Sequence, residues 1–286
     1  MCFFEVSQSI IKRDLMLIIF NLKIKMSLET IKLEQFYDKL PFNASWIGFR
    51  KSGKSLSASM VIRYLVKRNA FKRIILFIGT QYCNPELCQI VKTHFDGRLI
   101  FTKFSEDILL KIIEQQKKLR DLSEKNTCLI VFDDVYTSEN RGSYAMNRIF
   151  SSGRHWLISC CTLCVSWTDI IPSCRRALDF VILYSNITTN DTQFLTRNFL
   201  HKSLIEPARY ALKNNSLYTG LVIVTNPKQK LFLMKFKKKK LDAKLKYPDK
   251  EDHSKKIPLR KDNKKSLEGS VGSEEKVSDE KILLTV

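Results

Sequence analysis

Eight consecutive residues, Gly48-Phe49-Arg50-Lys51-Ser52-Gly53-Lys54-Ser55, fit the pattern G-x-x-x-x-G-K-[ST], and each part of that pattern has work to do at a phosphate. Gly48 and Gly53 let the backbone bend tightly and turn N–H groups toward phosphate oxygens. A helix start behind the loop adds partial positive charge. Lys54 can reach the β- and γ-phosphates, and the Ser55 hydroxyl can hold Mg²⁺. The run from Gly48 through Phe49, Arg50, Lys51, Ser52, Gly53, Lys54 and Ser55 to Leu56 is therefore the expected nucleotide-binding segment. Some eighty positions later, Cys128-Leu129-Ile130-Val131-Phe132 is an apolar run that ends in Asp133 and Asp134. Asp133 stands where a carboxylate holds Mg²⁺, directly or through water. Asp134 can orient or deprotonate the attacking water, although many ATPases of this kind carry the longer Glu there. Together the two segments predict ATP and Mg²⁺ as ligands and hydrolysis as the chemistry.

Such residues need a scaffold, and the flanking sequence describes one. Ala44–Ile47 precedes the glycine loop as a short apolar stretch, and a helix-compatible run from Leu56 to Lys67 follows it. Apolar runs at 73–80, 99–104, 128–132, 156–165 and 180–183 alternate with helix-like segments at 106–125 and 139–151. Continuous apolar strands separated by helices indicate a mainly parallel sheet with both faces covered. That is a doubly wound α/β fold, with ligands at the carboxyl ends of the strands. A further helix is expected at 191–200, and runs at 218–224 and 230–236 read as a hairpin at the sheet edge.

The 286 residues allow one large domain plus an appendage. Residues 26–236 form the expected domain. Residues 1–25 read as an N-terminal extension, either ahead of a true start at Met26 or as an added strand or amphipathic helix. Its apolar stretch, Leu15–Phe20, is far too short to span a bilayer, and no membrane is expected as a partner. The net charge of +20 points to a polyanion, with nucleic acid first and an anionic membrane surface second. From Lys235 to Ser266 there are fourteen Lys or Arg against five Asp or Glu. Residues 237–286 are accordingly expected to be a basic, disordered tail, for DNA contact or as a solubilising or nuclear-import segment. Of the eight cysteines, Cys128, Cys160, Cys161 and Cys164 lie in apolar runs and behave as small hydrophobes. That usage suits a reducing intracellular compartment.

A third block joins the glycine loop and the paired acids. It begins Gly153-Arg154-His155, continues through Ile158-Ser159, and ends Ile171-Pro172-Ser173-Cys174-Arg175-Arg176 with Asp179-Phe180-Val181. With these three blocks the chain resembles the genome-packaging ATPases of large DNA viruses, virophages and the related Polinton/Maverick elements, within the FtsK–HerA class of DNA pumps. The resemblance covers roughly residues 46–184. It implies a homo-oligomeric ring around double-stranded DNA, docked on a capsid vertex at a viral replication site in the host cytoplasm or nucleus, or carried in the virion. It also implies an arginine supplied across the subunit boundary to offset transition-state charge, with Arg154 and Arg175 as first candidates, then Arg176, with Arg141 and Arg148 behind them. His155 reads as a packing or hydrogen-bonding residue rather than a catalyst. One position departs from the pattern: Ser166 stands where the family carries a polar sensor, often Gln, and has less reach. That departure keeps a second reading open, a weakly hydrolysing nucleotide-dependent DNA-binding protein. A helicase or DNA-transfer ATPase is the other alternative, against which the third block argues.

Overall fold

Eight strands make one sheet, and their order places the glycine loop near its centre. In the computed structural model the described residues are 28–79, 84–95, 97–123, 125–135, 142–185, 187–216 and 218–236. The proposed N-terminal extension and basic tail, and Arg141, lie outside them. In chain order the elements are α1 (Glu34–Asp38), β1 (Asn43–Ile47), α2 (Lys54–Lys67), β2 (Arg73–Ile78), α3 (Pro85–His94), β3 (Ile100–Phe101), α4 (Glu106–Leu122) and β4 (Cys128–Asp133). There follow α5 (Tyr144–Ser152), β5 (Ile158–Cys164), α6 (Pro172–Arg176), β6 (Phe180–Tyr184), α7 (Thr189–Asn198), α8 (Lys202–Asn214), β7 (Thr219–Val224) and β8 (Lys230–Lys235).

The strand order is β3-β2-β4-β5-β1-β6-β7-β8. The first six strands run parallel, and β7 and β8 complete the sheet as an antiparallel hairpin. This is the mainly parallel α/β sheet and edge hairpin that the apolar runs predict. The expected strand at 99–104 shrinks to the pair Ile100–Phe101. The run at 156–165 begins as a strand only at Ile158, because residues 153–156 form a 3-10 turn. The helix expected at 139–151 is described from Tyr144, where the Ser143 hydroxyl caps it by accepting from Met146 N at 3.1 Å.

The central strands β1, β2, β4, β5 and β6 are buried along their whole length. Their Val, Ile, Leu and Phe side chains fill both faces, each contributing on the order of 2 kcal/mol by leaving water. Helix α2 presents Ala58, Val61, Ile62 and Leu65 to the sheet at helical spacing. On one side Phe36 stacks on Phe180 with centroids 4.3 Å apart, and Trp46 and Phe42 close the cluster. Between the strands, Thr162 Oγ1 donates to Ser45 Oγ at 2.9 Å across the β1–β5 register. Six cysteines, Cys88, Cys128, Cys160, Cys161, Cys164 and Cys174, are buried thiols outside any disulfide, and burial pushes them up. Four helices, α1, α3, α6 and α8, lie beyond those that periodicity picks out; α1 and α6 are only five residues long, and Pro207 inside α8 interrupts its helical reading.

Candidate active site

The parallel register brings the ends of β1, β4 and β5 together at the carboxyl edge. Ile47 pairs with Cys164, and Asp133 with Leu163. The loop leaving β1 is tied there at once: Gly48 N donates to Cys164 O at 3.2 Å. A side chain at position 48 would meet Ser52 Oγ and Tyr184 Cβ at 3.0 Å. Gly53 has φ +105° and lies so close to Tyr218 that a Cβ would meet its ring at 3.0 Å, so only glycine suits it. No side chain caps the start of α2, and its first N–H groups point into the cleft end of the loop as a ready anion site. The Ser52 hydroxyl is buried and has no hydrogen-bond partner among the described residues. An orphaned donor in a loop of this shape fits a phosphate oxygen.

Lys54 is the first residue of α2, and its side chain is only 7% exposed. Its Nζ donates to Cys164 O at 2.9 Å and lies 3.8 Å from Asp134 Oδ1. Ser55 and Leu56 follow, both half-buried. The Tyr184 hydroxyl, at the end of β6, lies 3.3 Å from Gly53 O and is hydrogen-bonded to Ser57 Oγ. Ser57 Oγ also contacts Lys54 O at 2.8 Å. Tyr184 thereby pins the loop-to-helix junction from the neighbouring strand.

The two acids differ. Asp133 is 3% exposed, and its Oδ2 accepts from Asn84 Nδ2 at 3.0 Å. Burial pushes its carboxyl up to about 6; the charge of Asp134 adds to this, while the Asn84 bond and Lys54 oppose it. A buried carboxylate in this condition is a good match for a divalent cation, which would favour its charged form. Asp134 is 45% exposed along its side chain and has φ +52°, a backbone turn fixed by its N–H donating to Leu163 O at 3.2 Å. It faces an open cleft of about 490 Å³ lined by residues 49–55, Asp134 and Tyr218.

The remaining expected residues lie elsewhere. Arg154 sits in the turn before β5, at the amino edge, and its Nη2 donates to Asp179 Oδ2 at 3.0 Å and Ala177 O at 3.2 Å. Arg175 is buried on α6; its Nε donates to Ile170 O at 2.5 Å, and its guanidinium lies over Trp167 and Phe194. Arg176 beside it is exposed. Arg148 lies over Tyr144 and Trp156, on α5. Ser166 follows β5 but does not line the cleft. Its hydroxyl donates to Asp191 Oδ1 at 2.8 Å and accepts from Thr168 N at 3.1 Å, as the cap of a short 3-10 turn. Asn84, Tyr184 and Tyr218 carry no motif that would single them out; an N-cap signal before Pro85 is the one local cue, and it marks only a helix start.

The chain matches the family described as Poxvirus A32 protein over residues 32–218. It is 26% identical over 157 residues to the uncharacterized protein 075L of Invertebrate iridescent virus 6, covering 54% of this chain and 58% of that protein. The alignment thus spans little more than half of the relative. Among solved structures it is similar to the genome packaging NTPase B204 of Sulfolobus turreted icosahedral virus 2 in complex with ATP-gammaS. That likeness has a TM-score of 0.52 and 17% identity, over 68% of this chain and 96% of the other. B204 described as the DNA-packaging ATPase of Sulfolobus Turreted Icosahedral Virus gives a TM-score of 0.53 and 17% identity, over 68% and 98%. At that identity the likeness establishes the fold. Among the described residues no helix is long and apolar enough to cross a membrane.

Proposed function

We propose that this chain, which belongs to the poxvirus A32 protein family, hydrolyses ATP to drive double-stranded DNA into a viral or virus-like capsid. The observation that carries the reading is the meeting of Lys54, Asp133 and Asp134 at one glycine loop, with Lys54 Nζ 3.8 Å from Asp134. The loop N–H groups and the Ser52 hydroxyl receive the phosphates. Lys54 exchanges its hold on Cys164 O for the β- and γ-phosphate oxygens, in a low-dielectric setting where its charge counts most. Asp134, exposed and aimed at the cleft, positions the attacking water and takes its proton. Ser55 and Asp133 would hold Mg²⁺, which neutralises charge on the transferred phosphoryl group when bound. Nothing else in the site needs to move far, as suits a reaction dominated by positioning.

The net charge of +20 favours DNA phosphates as a sequence-independent track. In a ring, the boundary arginine comes from Arg154, Arg175 or Arg176. Arg154 must first leave Asp179, and Arg175 must leave its aromatic slot, whereas Arg176 is already exposed. One observation favours a second reading, nucleotide-dependent DNA binding with little turnover: the Ser166 hydroxyl is occupied by Asp191. Steady-state ATPase assays with and without double-stranded DNA test the choice. Turnover should rise with DNA and fall roughly a hundredfold or more in Lys54→Ala. Tight ATP binding without turnover in the unaltered protein selects the second reading.

A further inference from the structure

We infer that Tyr218 is the residue against which the nucleoside half of ATP rests, a role that builds on the nucleotide reading above. Three observations converge on it. First, position: Tyr218 immediately precedes β7, whose Gly220 pairs with Tyr184 at the carboxyl end of β6. Tyr218 is thus on the β6 side of the glycine loop, while Asp133 and Asp134 end β4 on the other side. A triphosphate whose reacting end lies at Lys54 and the acids must lead its sugar and base away from them, and Tyr218 is the wall of the cleft on that side.

Second, conformation: Tyr218 has φ +66°, a left-handed backbone that an aromatic L-residue adopts only when its surroundings impose it. They do so here. Thr219 N donates to Ser216 O at 3.0 Å, and the hydroxyls of the same two residues are bonded at 2.9 Å. The strained turn holds the ring over the loop. Third, complementarity: the ring lies where a Cβ on Gly53 would be 3.0 Å from its Cδ1, so the glycine that the loop needs for its bend also makes room for the tyrosine. Tyr218 is half-buried and lines the cleft. A fixed aromatic face beside a phosphate loop offers stacking to any base, without a hydrogen-bond pattern to choose among them.

The test is calorimetric titration of the full chain with ATP and, separately, with inorganic tripolyphosphate. Tyr218→Ala should weaken ATP binding about tenfold and leave tripolyphosphate within twofold. Tyr218→Phe should keep both near the original values. Equal weakening of the two ligands in Tyr218→Ala, or unchanged ATP binding, would overturn the inference, because the ring would then serve the loop rather than the nucleoside. Tripolyphosphate binding in the same variant also reports that its phosphate loop is folded. The parent reading fails separately: Lys54→Ala would then bind both ligands as tightly as the unaltered chain.

Discussion

Both edges of the sheet bury a carboxylate at a strand end, and the two are treated in opposite ways. At the amino edge, Asp179 accepts from Asn43 N at 2.9 Å and from Arg154 Nη2 at 3.0 Å. Its negative charge has a cation, and the Asn43 side chain reinforces the corner by donating to Phe150 O and Ala177 O. At the carboxyl edge, Asp133 has one neutral donor, Asn84, and a second acid, Asp134, as its neighbour; Lys54 offsets only part of this, and the net shift at Asp133 stays upward. Backbone strain does not separate the edges. Positive φ occurs at Asn69 and Leu157 on one and at Lys51, Asp134 and Tyr218 on the other. What separates them is unresolved charge, which marks the edge where a ligand is to be held.

The largest effects should come from resolving that charge artificially. Asp133→Asn should abolish turnover, by roughly a hundredfold or more, and yet stabilise the ligand-free protein. The sign follows from linkage. Asp133 is raised from 3.8 to about 6 by folding, so the folded chain binds the proton more tightly than the unfolded one. Its favourable contribution is present at low pH and is lost as pH rises through the window from about 4 to 6. By neutral pH the loss amounts to roughly 3 kcal/mol. Urea unfolding from pH 4 to 7 in EDTA should show the unaltered protein weakening across that window, and Asp133→Asn holding steady and ending more stable. A variant less stable than the parent at pH 7 would mean that Asp133 is satisfied, as Asp179 is, and the contrast would collapse.

The mirror experiment, Asp179→Ala, should do the reverse. It strands the buried Asn43 N–H and frees Arg154, which at 42% exposure can hydrate. Stability should fall by about 2–3 kcal/mol, with turnover per folded molecule at saturating ATP nearly unchanged. A large loss of turnover in a still-folded variant would move Arg154 and Asp179 from the scaffold to the reaction.

Sequence made the two edges unequally legible. Gly48–Ser55 and Asp133–Asp134 are short, local patterns whose chemistry constrains spacing, and the buried strands announce themselves by continuous apolar runs. The insertion of β5 between β1 and β4 is a fact of tertiary order, invisible to any window along the chain. So are Asn84, 49 residues from Asp133, and Tyr184, 131 from Gly53. Tyr218 belongs to no pattern because its role depends on a turn fixed by Ser216 and Thr219 beside a loop formed by distant residues. The arginine block shows the opposite limit. Arg154 and Arg175 stand out in the third block, but a residue name carries no information about Asp179 or Trp167, which hold them.

Ser166 gives the smallest and most diagnostic effect, because it stands on the chemical edge but is bonded like a residue of the structural one. Its hydroxyl donates to Asp191, a carboxylate only 1% exposed, and caps the turn at residues 167–169. Ser166→Ala removes the cap and a donor to a buried acid, so stability should fall by about 1–2 kcal/mol. Because the hydroxyl does not line the cleft, kcat at saturating ATP should stay within about twofold. Thermal or urea unfolding and ATPase assays on the same preparation separate the two quantities. If turnover drops as far as in Lys54→Ala while stability holds, the hydroxyl leaves Asp191 for the nucleotide during the cycle. Ser166 would then belong with Asp133 and Asp134, as the sensor position in the family pattern implies, and the chemical edge would extend one strand further along the sheet.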